Sequence, residues 1–455
     1  KNFIDSIMES DSKIDPNSRH QFSNIILAQI KFFVDQSLYH EALEVIQKKS
    51  SYILDEVQLE ELKAKIYICT NNKQNAVQSC VKLLKLNPEN KEYYYILKSA
   101  LGCYCSLAYQ KIIEYLHNVF PTAIFPKIHL LEICQGEDFS KAIKEYIKIA
   151  IDRRQPNLFK VLMPLYENEH KVAVIESFLL QLQEERSEDP NLVWLLFCLA
   201  QHFNYQHLFL RALHLSELVI TLAPDFIDGF LFKGIVCKNL GRITEEIECT
   251  SHGHGLDMDD RNVKIAYCTT LLKYNQIEKA EEILSVYTSK NKPVWKYMKE
   301  IQFLELFQKM SKMFFHKNDI DRSLNVCLAV DNFFTVFLNS LMDFHMYSMR
   351  KATIIPYLSL HENFSFLRQN NIFYKVARTA IKCCLSLMYT QLKDTSTHKL
   401  YDTFNSDSTD IIQSPCLDPY EHIQTFLTPL INMDSNLKNY YLAFEYYYIS
   451  GKILL

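Results

Sequence analysis

Glycine and proline are scarce: 8 and 13 in 455 residues, where average usage would make the two together about 12%. Glycine supplies positive φ in tight turns and lets a backbone approach a ligand closely. Its scarcity excludes hairpin-rich sheets and phosphate-cradling loops, and it predicts helix after helix joined by short connections. A charge excess is missing too. There are 49 Lys+Arg against 53 Asp+Glu, a formal net charge of −4, so no global field recruits DNA. No apolar run approaches the roughly 18 residues of a membrane span, and no signal peptide opens the chain, so no membrane partner is expected. Lys1 in place of an initiator Met, and an end on Ile453-Leu454-Leu455, lead to the expectation of an internal piece of a longer protein.

Catalytic motifs are likewise lacking. The only Gly-Lys pair is Gly451-Lys452, outside any phosphate-loop pattern, and there is no Gly-x-Ser-x-Gly. Cys103 and Cys105 are one residue apart and Cys383 and Cys384 adjacent, neither of which is zinc-site spacing. His252 and His254, in Ser251-His252-Gly253-His254-Gly255, read as a loop pair without further ligands. The chain therefore reads as non-catalytic, with no metal and no cofactor of its own. Thirteen cysteines, mostly single within apolar stretches, fit a reduced, cytoplasmic protein.

What is present is apolar surface: 48% hydrophobic residues, with 27 Tyr and 29 Phe. Residues 301–400 are basic, with twelve Lys+Arg against seven Asp+Glu. A 34-residue period organises the apolar residues. Ala200, Gly234 and Cys268 recur at that spacing, each followed twelve residues later by Ala212, Glu246 and Ala280. Pro224 follows Ala212 by twelve; Ala64, Ala76 and Pro88 repeat the grid earlier, and Ser311 and Ser323 keep the offset later. This is the tetratricopeptide (TPR) pattern of a small residue on helix A, another on helix B where the two cross, and a proline ending helix B. The predicted fold is all-α, a right-handed superhelix (α-solenoid) of tetratricopeptide-like helical hairpins. It is expected to span residues 1–390, followed by a polar linker over 391–418 and a further helical hairpin over 419–455.

Several runs resemble the auxiliary subunit of the NatA N-terminal acetyltransferase complex. The clearest are Asp343-Phe344-His345-Met346-Tyr347-Ser348-Met349-Arg350-Lys351, Phe366-Leu367-Arg368-Gln369 and the segment from Phe373 to Ile381. Supporting runs include Leu86–Asn90 with Tyr93-Tyr94, Glu167–Glu176, Leu199–Phe203 and Phe426–Leu430. The resemblance implies a scaffold that wraps and activates a GNAT-fold catalytic subunit, which carries acetyl-CoA and acetylates nascent chains at the ribosome. It further implies that Arg350 reaches the partner's acetyl-CoA near a phosphate, a role suited to the planar guanidinium fork. His345, Lys351, Lys375 and Arg378 are implied as contacts to the partner or to a polyanion such as an inositol phosphate.

The chain departs from the family's pattern in places. It lacks the family's first several repeats and last helical region. Residues 391–418 hold only Lys393 and Lys399 where the family is Lys-rich, the hairpin at 313–327 has lost much of its charge, and Ile354-Ile355-Pro356 replaces a basic residue. From spacing alone, Asp343, Tyr347 and Arg350 would share a helix face, and Lys375, Arg378 and Lys382 would form a basic stripe. Two other readings stand beside the leading one: a TPR adaptor that captures peptides in the manner of co-chaperones, and the auxiliary subunit of a sister acetyltransferase complex.

Overall fold

The computed structural model describes residues 16–102, 106–186, 189–286, 293–350, 353–393, 419–433 and 436–451. Cys103, Cys105, Lys351 and the linker from 394 to 418 lie outside them. Every described element is a helix, and among the described residues there is no strand. Two compact units divide the chain: Lys1–Gln206 with Met346–Leu358, and His207–His345 with Ser359–Leu455.

The first unit is built from α1 (Pro16–Asp35), α2 (Tyr39–Lys49), α3 (Glu56–Cys69), α4 (Lys73–Leu86), α5 (Lys91–Leu101), α6 (Ser106–Val119), α7 (Phe125–Ile133), α8 (Gly136–Asp152), α9 (Leu158–Leu162), α10 (Glu169–Glu185) and α11 (Leu192–Tyr205). Short polar side chains start many of these helices. Asp55, Asn72, Asn90 and Asn168 each accept a hydrogen bond from a first-turn backbone N–H, satisfying donors that the helix leaves free. Ala64 on α3 and Ala76 on α4 are fully buried, as the grid requires. Lys171 on α10 closes the far end of α7: its Nζ donates to the Leu131 and Glu132 carbonyls at 2.8 and 2.7 Å and lies over the Phe139 ring.

The second unit holds α12 (Phe209–Leu222), α13 (Ile227–Leu240), α14 (Ile243–Leu256), α15 (Arg261–Lys273), α16 (Ile277–Ser285), α17 (Val294–Glu300), α18 (Leu304–His316) and α19 (Ile320–Met342). The helices α20 (His345–Arg350) and α21 (Ile354–Ser365) are divided between the units, Met346–Leu358 belonging to the first, and the second unit goes on with α22 (Asn371–Lys393), α23 (Pro419–Met433) and α24 (Leu437–Ile449). Close crossings appear where the period put them. A Cβ on Gly234 would stand 3.3 Å from Thr250 Cγ2 and 3.7 Å from Cys249 Cβ. Ser323 Oγ donates to the Ser311 carbonyl at 2.8 Å, both residues fully buried. One core runs from Cys268 on α15 to Tyr446 on α24 and takes in Phe373 and Phe426, whose rings stack at 6.3 Å.

Three expectations need correction. Positive φ does not depend on glycine here: Ser37, Asn71, His207, Asn275 and Asn318 adopt it, alongside Gly241. Ser37 and Asn71, and likewise His207, Gly241 and Asn275, are 34 residues apart. In these turns the next backbone N–H reaches back to close the preceding helix, as in Leu38 to Phe33, Asn72 to Tyr67 and Gln276 to Leu271, the Schellman closure. Second, the 251–255 segment is no loop but the end of α14, because Gly253 lets α14 press against Leu231 on α13. His252 packs on Phe230 and His254 on Tyr267, and no group of three metal-ligating side chains exists among the described residues. Third, Ile320–Ser348, with mean hydropathy 1.4, is long and apolar enough to cross a membrane by length and composition. In this fold α19 contributes Leu324, Cys327, Val330 and Phe334 to the core. Its Asp331 accepts a 2.9 Å hydrogen bond from Arg368, which is how a core helix accommodates a buried charge.

Candidate partner interface

The residues singled out in the sequence fall on two elements, α20 and α22. α20 is a short helix between two turns. The backbone at Asp343 ends α19, its N–H reaching the Ser340 and Leu341 carbonyls. Asp343 therefore does not lie on the helix that carries Arg350, and the expected Asp343–Tyr347–Arg350 face does not form. Ser348 is buried and fixes the helix by one side, its carbonyl accepting from Thr353 N at 3.0 Å. Phe344, His345, Met346, Tyr347 and Arg350 are all exposed. On α20, Met346, Tyr347 and Arg350 are residue types enriched at protein interfaces. Arg350 closes the helix, with its guanidinium in no ion pair among the described residues.

α22 carries Lys375, Arg378 and Lys382, but they do not form one solvated stripe. Lys375 and Lys382 are exposed. Arg378 is half-buried: its Nε donates to Asn439 Oδ1 at 2.9 Å, and its guanidinium lies 4.4 Å from the Tyr374 ring centre. Asn439 is fully buried and in turn donates to the Leu430 carbonyl. Arg378 thus ties α24 to α22. Arg368, from the Phe366–Gln369 run, is likewise internal, bonded to Asp331 and Thr335.

A second basic group went unnoticed in the sequence. Lys309 on α18 is half-buried, and its pKa is pushed down by burial, then by Lys238, with Lys375 and Lys312 adding to the effect and Glu305 opposing it. Lys238 on α13, Lys312 on α18 and Lys375 on α22 thus lie near enough to Lys309 to act on its charge, and Glu305 is the one carboxylate that opposes them. Such like-charge convergence is costly unless an anion shares the space. In sequence these residues are far apart, and only the hairpin packing gathers them. Lys375 belongs to this cluster in the second unit, whereas Arg350 belongs to the first.

Comparison with known proteins bears on the family and the fold. The family model "N-terminal acetyltransferase A, auxiliary subunit" matches residues 20–414. Human N-alpha-acetyltransferase 16, NatA auxiliary subunit, is 26% identical over 390 residues, 82% of this chain and 45% of that protein. The Arabidopsis thaliana N-terminal acetyltransferase A complex auxiliary subunit NAA15 is 24% identical over 396 residues, 82% of this chain and 44% of that protein. The chain thus spans a little under half the length of these curated relatives. A solved structure of Naa15/Naa10 bound to HypK-THB superposes with a TM-score of 0.88 at 22% identity, covering 99% of this chain and 68% of that one. That likeness shows a helical, TPR-like solenoid fold.

Proposed function

The chain belongs to the family of N-terminal acetyltransferase A auxiliary subunits, and from that membership we propose that it is a non-catalytic scaffold for a GNAT-fold catalytic subunit. The family match over residues 20–414 carries the reading. The exposed face of α20 supplies a contact surface for it, with Met346 and Tyr347 as apolar anchors. Arg350 fits an anion at the edge of that surface: it ends a helix, is solvent-exposed, and its planar fork is in no ion pair among the described residues. We assign it to the phosphates of the acetyl-CoA held by the partner. The catalytic subunit and its acetyl-CoA would then perform the transfer, while this chain binds and orients.

The lysine cluster supports a second element of the same reading. Lys238, Lys309, Lys312 and Lys375 would hold a polyanion such as an inositol phosphate, which would relieve their mutual repulsion. The expected setting is the cytoplasm at the ribosome, on nascent chains. Buried, unpaired thiols such as Cys80, Cys198 and Cys268 fit a reducing compartment.

Affinity purification of the full-length protein tests the reading, with a GNAT-fold acetyltransferase expected in stoichiometric amount. Its absence would overturn the scaffold assignment. Within such a complex, Arg350→Ala should weaken acetyl-CoA binding or assembly by about ten- to a hundred-fold, the scale of one lost charge-assisted contact. Lys382→Ala, on exposed α22 surface, should change neither. Equal behaviour of the two variants would return Arg350 to ordinary surface.

A further inference from the structure

Between α6, α7 and α8 of the first unit lies a cavity of about 200 Å³ that the scaffold reading does not use. Ile124, Leu130, Ala142 and Ile149 give it apolar walls. Three nitrogen-bearing side chains converge on it from separate places: His117 in the last turn of α6, Lys127 on α7, and Arg153 at the C-cap of α8. Lys127 and Arg153 are in no ion pair among the described residues. Glu145 is the one carboxylate in the lining.

Two features indicate what would fit. His117 lines the cavity, and its buried Nδ1 has no hydrogen-bond partner among the described residues; a turn of the ring toward a ligand oxygen would satisfy it. Burial and Lys127 hold the His117 pKa down, against Glu145, and so favour the uncharged ring. The fixed charge is then two cations against one carboxylate, enough for a monoanion and a poor match for a phosphate dianion. Burial also pushes the Tyr146 phenol up, keeping a protonated donor in the same wall. As to size, an engineered apolar cavity of roughly 150 Å³ takes up benzene. This one accommodates a ring or a branched aliphatic group with a carboxylate attached.

We propose that the cavity binds a monocarboxylate carried on a short apolar tail, with Lys127, Arg153 and His117 on the carboxylate and the α7–α8 wall around the tail. The carboxylate could come from a free small acid or from the C-terminal residue of a peptide; both present the same chemistry.

Calorimetric titration of the full-length chain with benzoate, benzamide, N-acetyl-leucine and a capped tetrapeptide ending in a free Leu carboxylate tests this. Benzoate and N-acetyl-leucine should bind saturably and compete with each other, and benzamide should not bind. Tetrapeptide affinity equal to that of N-acetyl-leucine identifies a protein C-terminus as the source; binding of the small acids alone identifies a metabolite. Lys127→Met and Arg153→Met should each weaken benzoate about ten-fold, the loss of one charge-assisted contact, with unchanged far-UV circular dichroism. Benzamide binding as well as benzoate, inorganic phosphate displacing benzoate, neither acid binding, or both variants retaining full affinity would each overturn the proposal.

Discussion

His202 shows what many of the family-like residues do. It is fully buried, shares a 2.6 Å hydrogen bond with the Tyr166 hydroxyl through Nδ1, and places Nε2 3.3 Å from Glu176. Burial pulls its pKa below the usual 6.5, and Glu176 only partly opposes this. The folded state therefore stays neutral where the unfolded chain takes up a proton. Stability should be fully present above about pH 6.5 and fall as pH drops from there toward the folded-state value. His117 and His254 shift in the same direction. Thermal melts of wild type and His202→Gln across this range should show a shallower pH slope for the variant; parallel curves would rule out His202 as a source. Tyr94, Lys171 and Arg368 tell a similar story, since each sits in a family-like run and each bonds inward: Tyr94 OH to the Pro88 carbonyl at 2.7 Å, the others as described. The sequence identified the family through such residues, yet it could not separate them from Arg350. A buried clamp and an exposed contact are written with the same letters.

At the scale of the helix, the twelve-residue offset between small residues was legible because close crossing leaves a mark in volume. Ala280 on α16 is fully buried. Ala280→Leu should overpack its surroundings and cost about 1–3 kcal/mol, read by chemical denaturation; an unchanged midpoint would show the register to be wrong. Glu246 stands at a position where other repeats hold a small residue, and it is retained because Lys273 Nζ at 2.8 Å and the Tyr274 hydroxyl meet its buried carboxylate. Lys273→Met should leave that carboxylate without its cation and cost more than a surface ion pair, about 3–5 kcal/mol at the upper limit for a broken buried pair. No cost beyond about 0.5 kcal/mol would place Glu246 in effective contact with water. The 251–255 segment was misread for an instructive reason. Glycine within a helix resembles a loop when its crossing partner is out of view. The lysines acting on Lys309 were invisible for a related one, since Lys238, Lys312 and Lys375 come near it only in the fold.

For the molecule as a whole, stability resides in neighbour-to-neighbour contacts. Ala280→Leu should therefore speed amide exchange in α15, α16 and α18 while leaving α3 and α4 protected; loss of protection everywhere would mean a single cooperative core. Fold class and repeat length were readable from composition and period alone, because both are summed over many residues. The division into two units was not, since no linker-like stretch announces a boundary at 206. The paired spacing of Ser37 with Asn71, and of His207, Gly241 and Asn275, has a genetic consequence. Turn, crossing residue and helix end are locked in phase, so the gene can change its spelling more easily than its count. Losing one codon inside a hairpin would rotate every later side chain in that helix by about 100°, carrying the crossing residue off its neighbour and moving the positive-φ position onto a residue that resists it. In a pooled library, single-codon deletions within α13–α14 should thus be depleted far more strongly than substitutions at the same exposed positions.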